Sequence, residues 1–334
     1  MSKRNRKGIQ RDGSAEMGVS SFLAVKDTYC LRGIAMLMII ISHTYNGYPV
    51  ADASCYFPSF LQWLHIELWG GMGVSVFLFL SGYGLFYTLS RREHIGGQYI
   101  ASKLRRLLEP FVIYWIVEVI VLALFDRGEL TTHLLEEVAT FSIHPDVENW
   151  FFKVIAVTYV ITIALFKCRM RDSVRVAALL AMAIAYLVVM KELGFGQWWY
   201  NSILCFPAGA AVAWQYDRMA ALPAVVMSMA GALLMLAVYQ IHMNTIVFHL
   251  AFVLFCVYVI KVVNIRSRVL FFIGYHSFVF YFIECPVMEE ITMFCYSHFP
   301  AYCLLTVLVT FVLSFLCVRG SEAVSSQVKK RKQP

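Results

Sequence analysis

An arginine and a histidine stand in one apolar segment of this chain. Residues 31–49 read LRGIAMLMIIISHTYNGYP, with Arg32 near the start and His43 eleven residues further on. On an α-helix, eleven residues make three turns plus about 20° and rise roughly 16 Å, so both side chains share one face. An ionisable group deep in a membrane costs at least about 2–3 kcal/mol unless it faces a polar cavity or a partner. The pair therefore predicts a polar channel wall, although a cytoplasmic anchor and a hydrogen-bonded core histidine would use the same residue types.

His43 also has a side chain suited to catalysis. Imidazole exchanges protons near neutral pH, so His43 is a candidate general base for a hydroxyl group. It is equally a candidate nucleophile that accepts a group and passes it on. The residues leave both routes open.

Other polar residues in apolar runs are candidates for the lining of a cavity. Ser81 and Tyr83 lie in the glycine-rich run GGMGVSVFLFLSGYG, whose glycines also favour close helix packing. Glu118 and Glu284 lie inside apolar runs as well. As with His43, each is expected to face the cavity or a basic partner.

The composition places the chain in a membrane. Of 334 residues, 60% are hydrophobic and only 15% are charged, whereas soluble domains carry about 25% charged residues. Runs long enough to cross a bilayer predict an all-α integral membrane protein with about ten spans. The spans are 30–48, 68–90, 109–125, 150–167, 174–190, 200–216, 221–239, 244–263, 269–290 and 300–318.

The basic residues predict the orientation of these spans. With the N-terminus in the cytoplasm and ten alternating spans, all but three of the 28 Lys and Arg residues fall on the cytoplasmic side. Both termini are therefore expected inside, as basic tails at 1–26 and 321–334 around a membrane domain at 27–320. Because the basic residues cluster at span ends, the net charge of +7 does not indicate nucleic-acid binding.

The nine cysteines are scattered singly and show no Cys/His spacing typical of a metal site. No metal site is therefore expected. Cys55 and Cys295 are the two that can face an oxidising side, and whether they pair is left open.

Six short motifs follow one another between residues 27 and 290. They are RGIA followed by His43, GVSVFLFLSGYG at 73–84, Lys103 and Arg106 followed by Pro110, Trp150 with Tyr159, NSILCFPAG at 201–209 and IGYHSFVFYFIECPV at 273–287. Together they resemble the acyltransferase-3 family, membrane enzymes that move acyl groups from cytoplasmic acyl-CoA to extracytoplasmic glycans. One position departs from the family pattern. The last motif usually carries a histidine where this chain has Glu284, so the role of that histidine does not carry over.

The resemblance implies an O-acetyltransferase of the bacterial cytoplasmic membrane. Acetyl-CoA is the expected donor, no cofactor is permanently bound, and the acceptor is an exported or surface polysaccharide or a lipid-linked glycan precursor. His43 and Arg32 are the expected catalytic residues. Lys103, Arg105 and Arg106, with Arg32, are expected to hold the CoA phosphates, because the planar arginine fork matches phosphate oxygens. The expected cavity lining is Ser81, Tyr83, Glu118, Trp150, Asn201 and Glu284.

Two alternatives remain at the level of sequence. A polytopic transporter of a small anion or glycan would also place an arginine and a histidine inside the membrane. Such transporters favour paired broken helices in two halves, and only the 200–216 span, with Pro207 and Gly209, has that character. A succinyl or other acyl donor would change the pocket and leave the architecture alone. The acceptor sugar and the oligomeric state cannot be deduced from these residues.

Overall fold

The computed structural model describes residues 22–48, 65–92, 94–105, 108–109, 112, 150–240, 245–295 and 298–331. Within these ranges all regular structure is helical, which confirms the all-α prediction. The longer helices are α1 (Val25–Asn46), α2 (Trp69–Ser90), α3 (Trp150–Lys167), α4 (Asp172–Glu192), α5 (Cys205–Trp214), α6 (Tyr216–Ala221), α7 (Ala224–Gln240), α8 (Thr245–Val263), α9 (Arg268–Tyr275), α10 (Ser277–Cys295) and α11 (Phe299–Arg331). Residues 97–105 are also helical.

The described residues contain fewer candidate membrane spans than the ten that the sequence predicts. Among them, five helices are long and apolar enough to cross a bilayer, and α9 with α10 make a sixth if that bent pair is one span. The predicted 200–216 span is only the ten-residue helix α5, and 221–239 is the 17-residue α7. The 109–125 span lies largely outside the described residues. The chain is a multi-pass helical membrane protein, and ten crossings stay a prediction.

Helix α2 is the central element of the bundle. It is apolar on all sides and most of its residues are buried, as expected for a helix surrounded by others. It packs against α1, α3, α5 and α8. Helix α1 in turn packs against α9, α10 and α11, so α1 and α2 form the centre from which the functional side chains project.

Glycines allow the closest of these helix crossings. A Cβ at Gly82 of α2 would meet the Phe206 carbonyl of α5, and one at Gly209 of α5 would meet the Phe79 carbonyl of α2. The same relation joins α1 and α9, where a Cβ at Gly274 would meet the Tyr29 carbonyl. The glycines in these runs therefore serve close helix packing, as their sequence context favours.

A break in the chain directs α10 toward α1. Helices α9 and α10 are separated at His276 and differ in direction by 79°. Helix α9 lies against the first half of α1, whereas α10 packs against both α1 and α11. Residues of α10 consequently reach the second half of α1, where His43 lies.

Candidate active site

The last turn of α1 carries His43, and the first turn of α2 leaves room for it. The Gly47 amide donates to the His43 carbonyl at 2.7 Å and closes the end of α1. A Cβ at Gly70 would lie 3.7 Å from His43 Cδ2, so α2 approaches the imidazole closely at that glycine. The His43 side chain keeps 35% of its surface exposed. It is therefore fixed by two helices yet open on one side.

Glu284 of α10 is the ionic partner of His43. Its carboxylate Oε1 lies 3.3 Å from His43 Nδ1, and the Glu284 side chain is fully buried. A carboxylate at this position favours a proton on Nδ1, which leaves the lone pair on Nε2. The result is a histidine whose tautomer suits a base or a nucleophile, in the manner of the acid–histidine pairs of hydrolases.

The sequence predicted both His43 and Glu284 as site residues, but it did not predict that they contact each other. An acidic and a basic residue in two separate apolar spans would predict such a pair, because each residue needs a partner inside the membrane. The sequence missed Cys285 altogether. Its Sγ, a Glu284 carboxylate oxygen and a His43 ring nitrogen all lie within 4.8 Å of one another.

The face of α1 between Arg32 and His43 is not the polar wall that the spacing predicted. Met36 and Ile39 occupy it and are at most 1% exposed. They line a cavity of about 10 Å³, together with Phe77, Phe151, Ser277, Phe278 and Tyr281. A cavity of that size holds about one water molecule. Among the described residues, apolar side chains from four helices fill the space beside this part of α1, and a polar channel past His43 stays a prediction.

Arg32 lies about 16 Å from His43 along the axis of α1. Its guanidinium carbon is 5.8 Å from the centre of the Tyr29 ring. Its Nε is buried and has no hydrogen-bond partner among the residues that the structure describes. Arg32 lies in the first half of α1 and His43 in its last turn, so the two side chains are too far apart to share one small site.

The predicted phosphate-binding residues lie on an exposed segment. Arg105 is 76% exposed and forms an ion pair of 3.6 Å with Glu109. Lys103 Nζ lies 5.5 Å from the centre of the Tyr99 ring, and the Arg92 guanidinium is 4.1 Å from the same ring. Arg106 and Glu118 fall outside the described residues.

Ser81 and Tyr83 are buried in the helix core and do not join His43. Both lie more than ten residues beyond Gly70 on α2, which separates them from the His43 level by at least about 16 Å. Tyr83 packs against Phe22, Phe79 and Tyr87.

Trp150 and Asn201 lie near the start of α2, where Ser202 Oγ donates to the Gly71 carbonyl one residue after the glycine that approaches His43. The Trp150 ring lies 5.5 Å from that of Trp199, and Asn201 is 8% exposed. Beside Asn201, Ser202 Oγ lies 3.1 Å from His249 Nδ1 and 2.9 Å from Ser75 Oγ. These hydrogen bonds connect the loop before α5 to α2 and α8, and so fix the position of that loop against the two helices.

The described helices thus form an apolar bundle in which a buried carboxylate contacts a partly exposed histidine, an arrangement suited to acid–base or nucleophilic chemistry. The family model described as an acyltransferase domain, that of the acyltransferase-3 family, matches residues 29–319. The protein belongs to this family and is a membrane acyltransferase, which confirms the resemblance seen in the sequence motifs. Comparison with curated proteins and with solved structures gave no match.

Proposed function

We propose that the protein is an O-acetyltransferase that moves acetyl groups from cytoplasmic acetyl-CoA to a hydroxyl of an exported or surface polysaccharide, or of its lipid-linked precursor. The bacterial cytoplasmic membrane is the proposed location. The observation that carries the proposal is the contact of His43 Nδ1 with the buried Glu284 carboxylate, because it frees Nε2 for chemistry.

The chemistry begins with the acceptor hydroxyl. His43 Nε2 removes its proton, and the oxygen attacks the thioester carbonyl of the donor. The tetrahedral intermediate collapses, the C–S bond breaks, and the CoA thiolate takes the proton from Nε2. Glu284 stabilises the imidazolium that exists between these two proton transfers.

A covalent route uses the same two residues. Nε2 attacks the thioester, CoA leaves as the thiolate, and the acyl-imidazolium keeps its Nδ1 proton beside Glu284. The acceptor hydroxyl then attacks the acyl carbonyl, the bond to Nε2 breaks, and the hydroxyl proton passes through water to the CoA thiolate. The two routes differ in whether labelled protein accumulates when the acceptor is absent.

The donor would approach from the end of α1 that carries Arg32. The buried Nε of Arg32 offers a hydrogen bond to a phosphate or to the pantetheine arm. The exposed Arg105 and the half-buried Lys103 offer further positive charge, with Arg106 in the same run. To reach His43, the arm must displace the side chains around the small cavity. Met36 suits this movement because it is unbranched and flexible.

The test uses purified full-length protein in nanodiscs with radiolabelled acetyl-CoA, with and without an extract of lipid-linked glycans. We expect label in the glycan fraction with wild type and a loss of about 10²-fold or more in turnover with His43→Ala. His65→Asn is the matched control, since His65 contacts Tyr239 and has a positive φ that asparagine tolerates.

The outcomes separate the alternatives. Wild-type turnover by His43→Ala would overturn the mechanism. Transfer from succinyl-CoA in preference to acetyl-CoA would replace the donor and keep the site. Absence of CoA binding and of turnover with every extract would contradict the transfer of acetyl to a glycan.

A further inference from the structure

Three different metal-binding groups meet where α1 and α10 touch. His43 supplies an imidazole nitrogen, Glu284 a carboxylate oxygen and Cys285 a thiol sulfur, and these atoms lie within 4.8 Å of one another. Nitrogen, oxygen and sulfur donors of these types are the ligands that zinc uses in proteins. Because His43 lies far in the sequence from the adjacent Glu284 and Cys285, no local ligand spacing reveals the group.

The buried Glu284 carboxylate is a second observation, independent of the clustering, that points to a bound cation. Glu284 is 0% exposed, and within the described part of the chain neither of its oxygens has a hydrogen-bond partner. Its ionic contact is the one with His43. A buried carboxylate with so few partners is costly unless a proton or a cation neutralises it.

The charge balance favours a divalent cation. A carboxylate and a thiolate carry two negative charges, and neutral imidazole adds none, so a bound Zn²⁺ gives a cluster with no net charge. A neutral cluster is the arrangement that a low-dielectric interior tolerates best. The donors of a tetrahedral zinc ion lie about 3.3–3.8 Å apart, so side-chain shifts of roughly 1 Å would close the observed spacing.

The cluster is open on one side. Glu284 is enclosed, whereas the His43 side chain is 35% exposed. Three protein donors leave a fourth position of a tetrahedral ion for water.

We propose that His43, Glu284 and Cys285 form an inhibitory Zn²⁺ site. Zinc on Nδ1 places the ring proton on Nε2, and the lone pair that the reaction needs is then absent. Zinc also occupies the carboxylate that stabilises the imidazolium. The inhibitory effect rests on the proposed function, whereas the binding of the ion does not.

Binding is tested first, without reference to activity. Full-length protein in nanodiscs is titrated with Co²⁺, whose thiolate complexes absorb in the near ultraviolet and whose tetrahedral complexes absorb in the visible. We expect both bands with wild type and, by equilibrium dialysis, about one Zn²⁺ per chain. Cys285→Ser is expected to lose the thiolate band and to bind Zn²⁺ at least about tenfold more weakly.

Two further variants make this result specific. Cys303→Ser on α11 is the matched control, since it removes a partly buried thiol and is expected to keep the Co²⁺ spectrum. Glu284→Gln is expected to weaken Zn²⁺ binding while retaining the thiolate band. Absence of the thiolate band in wild type, or an unchanged spectrum in Cys285→Ser, would overturn the site.

Inhibition is tested second. For each variant, the rate of acetyl transfer in the presence of Zn²⁺ is compared with the rate of the same variant in the presence of a metal chelator. We expect Zn²⁺ to inhibit wild type and Cys303→Ser, with Cys285→Ser needing at least about tenfold more zinc. Zinc binding without inhibition would overturn the inhibitory role. If cobalt binds but no acetyl transfer occurs in chelator, the proposed function fails and the metal site stands. If transfer occurs but cobalt does not bind, the metal site fails alone.

Discussion

Glu284 is the ionic partner of His43. At the position where the family usually has a histidine, this chain places a carboxylate beside His43 Nδ1. A carboxylate holds the ring in one tautomer and stabilises its protonated form, which a neutral partner does less well. In this chain the residue at that position is therefore the ionic partner of His43.

The first prediction concerns this charge. Glu284→Gln keeps the volume of the side chain but removes the negative charge, so we expect kcat to fall by about 10²- to 10⁴-fold. The KM for acetyl-CoA should change little, because in the proposed site the donor is held by the basic residues. Steady-state kinetics on purified protein measure both quantities.

The control for this prediction is Glu322→Gln, which removes a carboxylate 53% exposed on α11. It should leave kcat unchanged. A Glu284→Gln enzyme with wild-type kcat would show that the ion pair with His43 is structural only.

The packing of α2, the helix beside His43, depends on close contact with the backbone of α5. Gly82 lies on the side of α2 that touches the backbone of α5, whereas a Cβ at Gly84, two residues further on, would have nothing within 4 Å. The two glycines share a helix and a sequence context but differ in what surrounds them. They therefore form a matched pair for testing helix packing.

We expect Gly82→Ala to destabilise the protein by about 1–3 kcal/mol, because the new methyl group would press on the Phe206 carbonyl. Gly84→Ala should be neutral or slightly stabilising, since alanine has the higher helix propensity. The measurement is the fraction of protein that stays monodisperse in detergent after heating. Equal stability of the two variants would contradict the α2–α5 crossing described here.

The break between α9 and α10 also determines how helices pack around α1. Because α10 changes direction by 79° after α9, one part of the chain packs along the first half of α1 and the next reaches His43. A straight helix through 268–292 could not contact both the first half of α1 and the end of α1 that carries His43. The position of Glu284 is therefore a consequence of this bend.

For the molecule as a whole, the main prediction is its orientation in the membrane. The distribution of Lys and Arg places the connection after α3 in the cytoplasm and the end of α4 outside. Cys168, in that first connection, is exposed, and Glu192, at the other end of α4, is exposed as well. One crossing thus separates two sites that can be labelled.

In intact cells, a membrane-impermeant maleimide should label Glu192→Cys in a Cys168→Ser background. It should label Cys168 only after permeabilisation. Reversed labelling would overturn the orientation, and equal labelling of both sites would show that α4 does not cross the membrane. The pairing of Cys55 with Cys295 cannot be judged in the same way, because Cys55 lies outside the described residues.

Much of this protein could be predicted from its sequence, for a physical reason. Long apolar runs have few alternatives to membrane helices, so the all-α class followed from composition. An ionisable residue in such a run is costly, so His43, Arg32 and Glu284 stood out as functional candidates. The ordered motifs indicated the family that the domain match confirms.

The tertiary structure alone decided which candidates meet. His43 joins Glu284 and Cys285, Arg32 stays in the first half of α1, and apolar side chains fill the face between them. Helical periodicity reports which residues share a face of one helix but not which neighbouring helix covers that face. That depends on glycine crossings and on the bend before α10, which bring together residues distant in the chain.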